Sequence, residues 1–448
     1  MYFIYSLLTA AGMVLLSPYF VVRALIRGNG LANIPERLGW KFPPELQGSG
    51  MKRESIWIHA VSVGEVLAVL PLAKKLRECH PQRRLIVSTT TATGQKLARE
   101  RMQFADAIFY FPLDWAVPVR RALKATHASL VIVVETEIWP NFLRECRRAT
   151  VPVIFVNGRL SEKSFRGFRR AVAYSGGLLR SFLRNILNDA ALFLMQSDAD
   201  AARLLALGAP ENCVVVTGNL KYDVAEPPEQ PLSAWLKIEL GRNKRKPVLI
   251  AGSVMAGEET AVLRAFAHVE RDFPEALLVL APRKPEQFDN AAAIVMQSGR
   301  KLLRRRDITL NGSGDAALGE PRNVLLLDSL GELAGIYRLA DAVFVGGSLV
   351  PIGGHNILEP AAFSKVPIHG PSMENFREMA ATFHEANASI QVTSGDDLGA
   401  AWCGLLVDSV RASRMGEAAR AVVDRNRGAT QRVLARIEET IDLTVRRG

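Results

Sequence analysis

The sequence predicts an α/β fold with two parallel-sheet domains. From Ser55 onward, short apolar runs alternate with stretches whose apolar residues recur at helical spacing. Runs that are apolar throughout are typical of parallel strands whose sheet is covered by helices on both faces. The chain has 448 residues, which is enough for two separate cores. A proline-rich run at 225–231 divides the strands into two series.

The domain boundaries follow from these two series. The first contains the predicted strands Ile56–Ala60, Leu85–Thr89, Ala107–Phe111, Leu130–Glu135, Val153–Val156, Leu192–Gln196 and Val214–Thr217. The second contains Val248–Gly252, Ala276–Ala281, Val324–Asp328, Val343–Gly346, Val366–His369 and Ile390–Val392. We therefore predict an N-terminal membrane anchor at 1–27, a parallel-sheet domain at 28–224 that opens with a Gly- and Pro-rich tether, a linker at 225–246 and a second parallel-sheet domain at 247–448. The active site is expected in the cleft between the two domains.

The anchor is predicted from the charge-free run Tyr2–Val22, which has 21 residues. As a helix it is roughly 31 Å long, which matches a bilayer core of roughly 30 Å. It lacks the basic start and the cleavage site of a signal peptide. Arg23 and Arg27 follow the run, so we expect the rest of the chain on the cytoplasmic side. Gly12 and Pro18 weaken the helix, which leaves a shallow monotopic anchor or a buried helix as alternatives.

Composition indicates the kind of partner. The net charge is +11 and the pI is about 9.7, which favours anionic partners such as nucleic acid, a membrane surface or phosphorylated substrates. The four cysteines are far apart and the histidines show no ligand spacing. We therefore predict reduced thiols and no metal site.

The stretch 56–65 carries the first candidate catalytic residue. A buried strand runs through Gly64 into a helical pattern, which places Glu65 in the first turn of a helix at the carboxyl edge of the sheet. Ligands of open α/β sheets bind at that edge. Glu65 is a candidate general base, with a simple helix-dipole role as the alternative.

The second half contains a candidate nucleotide site. The glycine-rich segment 346–354 follows a strand and precedes a helix predicted to begin near His355, an arrangement that suits a phosphate. Glu359 would then bind ribose hydroxyls, although the glycines alone fit an ordinary turn equally well. Arg283 ends another strand, and Ser329 and Glu332 have the spacing of a capping box.

Charged residues also follow strands in the first half. Glu135 and Glu137 come directly after one strand, and Lys221 comes shortly after the last strand of the series. Buried carboxylates need hydrogen bonds or water, so these two suggest substrate orientation, or a helix N-terminus for Glu137. Lys221 is either a cleft residue or a solvated surface lysine.

The segment Arg159–Arg184 has seven basic residues and one acidic residue, with apolar residues at helical spacing. A basic amphipathic helix favours an anionic lipid surface. A solvated charged face over a core stripe is the simpler alternative. No nucleic-acid-binding module accompanies the charge, so we expect no nucleic acid.

Four motifs together resemble those of the 3-deoxy-D-manno-octulosonic acid (Kdo) transferases of lipopolysaccharide synthesis, glycosyltransferase family 30. They lie at His59–Glu65, Glu135–Asn141, Gly218–Asp223 and Val345–Asn356. The resemblance covers nearly the whole chain. It implies a GT-B fold, with two Rossmann-like domains around a cleft, and transfer of Kdo from CMP-Kdo to the lipid A precursor, lipid IVA. It also implies a location on the cytoplasmic face of the bacterial inner membrane.

The resemblance assigns roles residue by residue. Glu65 matches the family's catalytic base, and Glu135 and Lys221 match positions that stabilise the transition state. The segments that match CMP-binding positions are Pro282, Arg283, Gly331, Glu332, Leu333, Asn356, Ile357, Leu358 and Glu359. Ile357 departs from the family, because many relatives are expected to have proline there. The implied reaction is inverting, with no metal and no cofactor besides the donor CMP-Kdo.

Two other functions fit parts of the sequence. One is a GT-B enzyme that uses a UDP-sugar, which a preference for UDP over CMP would reveal. The other is a non-catalytic, membrane-tethered module for anionic lipids, which would keep its function after Glu65→Gln.

Overall fold

The computed structural model describes residues 1–27, 33–47, 53–223, 227, 229–310 and 322–445. It contains two compact units, Met1–Asp223 together with Arg427–Gly448, and Val224–Asn426. This division differs from the predicted domains in two respects. The end of the chain belongs to the first unit, and the predicted linker contains the helix Pro231–Arg242. Parts of the predicted tether (28–32 and 48–52) and of the proline-rich run (224–226 and 228) lie outside the described residues.

The first unit contains a seven-stranded parallel sheet in the order β3-β2-β1-β4-β5-β6-β7. Its strands are β1 (Ser55–His59), β2 (Arg84–Thr89), β3 (Ala107–Tyr110), β4 (Ala128–Val134), β5 (Val153–Gly158), β6 (Leu192–Met195) and β7 (Val214–Val216). All seven overlap the predicted strands. Because the strands are parallel, their carboxyl ends meet at one edge of the sheet.

Ten helices belong to this unit within the described residues. They are α1 (Tyr2–Arg27), α2 (Ile34–Arg37), α3 (Val63–Cys79), α4 (Ala92–Arg101), α5 (Ala116–Thr126), α6 (Pro140–Arg148), α7 (Glu162–Tyr174), α8 (Leu178–Leu187), α9 (Asp198–Ala206) and, from the end of the chain, α18 (Ala429–Val445). A 3₁₀ turn at Leu220–Tyr222 follows β7.

Both faces of the first sheet are buried, as the apolar runs predicted. On β1, Trp57 packs into the core on one face, and Ile56 and Ile58 pack into the core on the other. Helix α18 covers the second face with Ala429, Val433, Ile437 and Ile441. These residues recur every four positions, so they form one apolar stripe along the helix. This stripe is why the last helix belongs to the first unit.

The N-terminal helix α1 is attached to the first unit at its beginning. The Tyr2 hydroxyl donates a hydrogen bond to Asp189 Oδ2 at 2.8 Å, and the Tyr2 ring packs on Phe182 with centroids 5.1 Å apart. Further along, Trp115 Nε1 donates to Thr9 Oγ1 at 3.2 Å. No helix in the described ranges combines the length and the apolar character needed to cross a membrane.

The second unit contains another seven-stranded parallel sheet, in the order β10-β11-β9-β8-β12-β13-β14. Its strands are β8 (Val248–Val254), β9 (Leu277–Pro282), β10 (Lys301–Arg304), β11 (Arg322–Leu326), β12 (Ala342–Val345), β13 (Pro367–His369) and β14 (Ile390–Gln391). Six of them overlap predicted strands. The seventh, β10, lies at the edge of the sheet and carries charged residues at both ends, so it lacks the apolar run of a buried strand.

Eight helices of the second unit lie within the described residues. They are α10 (Pro231–Arg242), α11 (Glu259–Asp272), α12 (Phe288–Gln297), α13 (Leu333–Ile336), α14 (Leu358–Ala361), α15 (Arg377–Glu385), α16 (Gly395–Val407) and α17 (Ser409–Asn426). The helix predicted to begin near His355 begins at Leu358 and has only four residues. The helix start that we expected near His355 therefore lies three residues later in the chain.

Candidate active site

Glu65 lies in the first turn of α3, directly beyond the carboxyl end of β1, as the sequence predicted. Its side chain is held by the turn itself. The Val61 N–H donates to Oε2 at 2.7 Å, and the Ser62 hydroxyl donates to Oε1 at 2.8 Å. The residue is only 6% exposed. The strand-to-helix turn therefore presents a fixed, nearly buried carboxylate at the edge of the sheet.

Burial raises the pKa of Glu65 to about 7. The hydrogen bonds from Val61 and Ser62 lower this pKa, while the charges of Glu135 and Glu137 raise it. A carboxylate whose pKa lies near neutrality is well matched to general-base catalysis, because it is both available and basic enough at that pH.

Glu135 follows β4, the strand that pairs with β1. Its backbone is left-handed, with φ of 59°, and its N–H donates to Val156 O at 2.8 Å. A non-glycine residue in this conformation is uncommon. Lys221 Nζ lies 3.4 Å from Glu135 Oε1. The structure thus brings the three predicted catalytic residues to one edge of the first sheet.

In the second unit, Arg283 directly follows β9, and its charge acts on His355 and Glu359. Burial raises the pKa of Glu359, and the Asn356 amide and Arg283 lower it. Asn356 Nδ2 donates to Glu359 Oε1 at 3.3 Å, and Asn356 Oδ1 accepts from the Leu358 N–H at 3.1 Å. Burial, together with Arg283, lowers the pKa of His355 to about 4, so its imidazole is neutral at pH 7. Arg283 itself is exposed.

The glycine-rich segment differs from the prediction, because an internal carboxylate takes its backbone donors. Glu258 is fully buried and accepts from the N–H groups of Gly347 (2.7 Å), Ser348 (3.0 Å) and Leu349 (2.8 Å), and also from Met255. A Cβ at Gly346 would lie 2.8 Å from Glu258 Oε2. The glycines admit this side chain, so three backbone donors at the start of the segment 346–354 are already bound within the protein.

Glu332 is likewise engaged by a protein side chain. Arg305 Nε lies 2.9 Å from Glu332 Oε2, and Arg305 NH2 lies 2.9 Å from Oε1, which makes a two-pronged ion pair. The Ser329 hydroxyl also donates to this carboxylate. Helix α13 begins one residue later, at Leu333, with Glu332 as its N-cap and no side-chain capping bond. The capping box expected from Ser329 and Glu332 is therefore not formed.

The remaining predicted residues of the nucleotide segments lie in the core or in a turn. Pro282 is the last residue of β9. Ile357 and Leu358 are fully buried, so their side chains pack inside the unit. Gly331 is exposed and has a φ of 89°, which glycine tolerates well.

Sequence reasoning missed Tyr337, Glu258, Arg305 and the role of Gly252. Tyr337 is buried, and a Cβ at Gly252 would lie 2.0 Å from its hydroxyl. Burial raises the pKa of Tyr337, and the charge of Glu359 raises it further, which places Tyr337 beside the Glu359 cluster. For Glu258, the Gly-Glu-Glu run at 257–259 before α11 was the available signal. The sequence around Tyr337 and Arg305 contains no motif that would have indicated their contacts.

These features define the class of the protein as a GT-B enzyme, with two Rossmann-like sheets. One solved structure of similar fold is Staphylococcus aureus MnaA with UDP, which is 16% identical, with 87% of this chain and 97% of that chain covered and a TM-score of 0.54. Another is a Rickettsia africae glycosyltransferase, which is 13% identical, with 89% of this chain and 100% of that chain covered and a TM-score of 0.53. A Neisseria meningitidis UDP-GlcNAc 2-epimerase bound to UDP-GlcNAc is also similar (13% identity, 83% of this chain and 98% of that chain, TM-score 0.52). At these identities the likeness concerns the fold alone.

Comparison of sequences identifies the family. Residues 32–224 match the family model described as 3-deoxy-D-manno-octulosonic-acid transferase. The Kdo transferase of Haemophilus influenzae is 33% identical over 398 residues, covering 88% of each chain. That of Bordetella pertussis is 34% identical, covering 86% of this chain and 87% of its own. The chain belongs to the Kdo transferase family and is a glycosyltransferase.

Proposed function

We propose that the protein transfers Kdo from CMP-Kdo to a hydroxyl of the lipid A precursor, lipid IVA, with Glu65 as general base. The observation that carries this proposal is the nearly buried Glu65 carboxylate, whose pKa is raised to about 7 at the edge of the sheet. A sugar hydroxyl is a poor nucleophile and needs a base within hydrogen-bond reach. We assign Kdo as the transferred sugar from the family to which the chain belongs. We assign the CMP nucleotide and the lipid IVA acceptor from the resemblance of the motifs.

The reaction follows from this arrangement. The acceptor hydroxyl gives its proton to Glu65 while its oxygen attacks the anomeric carbon of Kdo. The bond from that carbon to the CMP phosphate oxygen breaks, and its electron pair leaves with CMP. Because one displacement occurs at the anomeric carbon, the configuration inverts. Protonated Glu65 then returns its proton to solvent.

Lys221 and Glu135 support the transition state. As the hydroxyl loses its proton and the phosphate departs, charge develops near the reacting atoms, and preorganised charged groups stabilise it. Lys221 supplies a cation whose position is set by its pair with Glu135, 3.4 Å away. The same cation offsets the repulsion that Glu135 exerts on the ionised Glu65.

The donor nucleotide is assigned to the second unit. The exposed Arg283 guanidinium suits the CMP phosphate, since its planar donors match phosphate oxygens. Glu359 suits the ribose hydroxyls, and Asn356 orients it. The Glu332 carboxylate is occupied by Arg305, so the segment Gly331–Leu333 would contact the nucleotide through its backbone. In this scheme the positive charge of Arg283 neutralises the leaving CMP phosphate, so no metal ion is needed.

The protein would bind the acceptor at the cytoplasmic face of the bacterial inner membrane. The exposed side of α1 is apolar, with Phe3 78%, Leu8 66% and Leu15 79% exposed. Helices α7 and α8 carry most of the basic segment, and Tyr174 and Leu178 beside it are 91% and 69% exposed. Apolar and basic groups together favour an anionic membrane surface. We assign the acylated, phosphorylated acceptor to this surface.

The test is incubation of the purified protein with CMP-Kdo and tetraacylated lipid A precursor, with product masses as the readout. Each transferred Kdo adds one sugar mass, so the same measurement counts the sugars. Competition by CMP and by UDP identifies the nucleotide. The proposal requires a product and a preference for CMP. No mass increase, or tighter binding of UDP, would contradict it.

A further inference from the structure

We propose that Asn157 is a positioning residue for the transfer reaction, which helps to set Lys221 against Glu135 through hydrogen bonds between amide side chains and the turn that carries Lys221. This inference rests on the proposed function, because it concerns the same catalytic edge. Asn157 touches neither Glu65 nor Lys221 through its side chain in the described contacts. Its effect passes through the turn that carries Lys221.

The first step is the backbone at the ends of two neighbouring strands. β4 pairs with β5, and each strand reaches a residue in the left-handed region, Glu135 with φ 59° and Asn157 with φ 57°. Asparagine adopts this conformation more readily than most side chains. The conformation lets the Asn157 side chain reach the turn that follows β7. Its Oδ1 accepts a hydrogen bond from the Leu220 N–H at 2.9 Å.

The second step is the chain of amides. Gln196 Nε2 donates to the backbone oxygen of Asn157 at 2.9 Å, and Gln196 Oε1 accepts from Asn219 Nδ2 at 2.9 Å. Asn219 Oδ1 then accepts from the Lys221 N–H at 2.9 Å. Two consecutive N–H groups of the turn are thus held by side chains, that of Leu220 by Asn157 and that of Lys221 by Asn219, and Gln196 links Asn219 to the Asn157 backbone.

The third step is the other side of the same turn. Asp223 accepts from the Gly428 N–H at 2.6 Å and from the Thr430 N–H, at the start of α18. Leu220 packs in the core with Ala429 and Val433 of that helix. The turn is therefore fastened to α18 on one side and to Asn157 on the other. Because the backbone of the turn is held, the distance between the Lys221 ammonium and Glu135 depends only on the side-chain torsions.

The fourth step is that packing does not account for the choice of residue at 157. Asn157 is fully buried, and its Nδ2 has no hydrogen-bond partner among the described residues. A buried amide donor without a partner is unfavourable, so packing would select an apolar side chain. The acceptor Oδ1 is the part of the side chain that is used. This indicates that the contact to the Lys221 turn is what retains asparagine.

The position of Lys221 has a consequence that can be measured. Two carboxylates, Glu135 and Glu137, raise the pKa of Glu65 by their charge. Lys221 offsets the charge of Glu135 when the two are paired. If the turn loosens, Glu135 acts on Glu65 without this compensation, and Glu65 needs a higher pH to lose its proton. The acidic limb of the rate profile then moves to higher pH.

The experiment is Asn157→Gly, which permits the left-handed backbone but removes the acceptor. We expect kcat/KM for Kdo transfer to fall roughly 10- to 100-fold and its acidic limb to move to higher pH, with CMP binding unchanged. In a Lys221→Met background, Asn157→Gly should cause no further loss, because its effect passes through Lys221. The inference would be overturned if Asn157→Gly lowered kcat/KM equally in the wild-type and Lys221→Met backgrounds, or if the acidic limb of the pH profile did not move.

The matched control is Asn387→Gly, which makes the same change at an exposed left-handed residue of the second unit, with φ of 51°. It should leave the rate profile unchanged. If Asn157→Gly fails to fold, Gln196→Met breaks the amide chain and leaves residue 157 intact, and the same limb shift is required of it. A Gln196→Met protein with the wild-type profile contradicts the amide chain.

Hydrogen exchange separates this inference from the proposed function. In Asn157→Gly, the amide of Leu220 should exchange faster, because its acceptor is removed, while the amides of α3 should not change. Unchanged exchange at Leu220 would overturn the inference whatever the activity. If the wild-type protein shows no Kdo transfer, the proposed function fails, and exchange still decides whether Asn157 holds the turn.

Discussion

The carboxylate of Glu258 and the N–H group of Gly347 lie 2.7 Å apart, inside the second unit. The N–H groups of Met255, Ser348 and Leu349 donate to the same carboxylate. The glycine-rich turn therefore binds a carboxylate of the protein itself. A carboxylate with several backbone N–H partners is well satisfied even when buried. The turn that follows β12 is thereby fixed before any ligand binds.

Replacing this carboxylate should therefore destabilise the second unit. Glu258→Gln keeps one acceptor oxygen but turns an NH2 group toward backbone donors, and we expect a loss of roughly 2–4 kcal/mol in unfolding free energy. Urea unfolding measures it. Glu286→Gln, at an exposed position, is the control and should change stability by less than about 0.5 kcal/mol. Equal stability of the two variants would contradict the assigned role of Glu258.

Glu65 predicts the pH dependence of transfer. Because its pKa is raised to about 7, the residue is protonated below that pH and cannot accept the hydroxyl proton. The rate should therefore rise with pH through about 7 and then level off. A pH profile of kcat/KM with CMP-Kdo measures this. An acidic limb near the ordinary carboxylate pKa of about 4 would contradict the assignment.

Glu65→Gln should abolish transfer and leave the fold and CMP affinity nearly unchanged. Glutamine has almost the same shape and still accepts a hydrogen bond, but it cannot take a proton at neutral pH. Product mass spectrometry and CMP titration are the two measurements. Unimpaired transfer in this variant would contradict the assignment of Glu65 as general base.

Arg305 should act on donor binding through Glu332. Its ion pair holds the segment Gly331–Leu333, so Arg305→Ala should raise KM for CMP-Kdo about tenfold, with a smaller effect on kcat. Steady-state kinetics at varied CMP-Kdo measure this. Arg306→Ala is the control, because the described ion pairs of Arg306 are with aspartates. A loss confined to kcat would argue against a donor-binding role.

The apolar side of α1 should bind membranes. Replacing Phe3, Leu7 and Leu8 by serine removes exposed apolar area, so sedimentation with anionic vesicles should fall more than tenfold. Thr9→Val is a matched control on the side that faces Trp115. Soluble assays with detergent-dispersed acceptor should be little affected. Undiminished vesicle binding of the triple variant would place the membrane contact elsewhere.

Local pattern in the sequence determined the two sheets and the place of Glu65. Thirteen strands could be recognised from short apolar runs, and the change from a strand run to a helical pattern placed Glu65, although α3 begins at Val63, before Gly64. The strand β10 escaped because it is an edge strand with Lys301 and Arg304 at its ends. The family motifs named the remaining site residues.

Tertiary structure decided which polar groups meet. Glu258 and Gly347 are 89 residues apart, and Arg305 and Glu332 are 27 apart, so no local period joins them. The helix α18 packs on the core of the first unit, although it follows the second sheet in the sequence. A buried carboxylate is stable only with its partners in place, and those partners are chosen by the packing of distant segments rather than by neighbours in sequence.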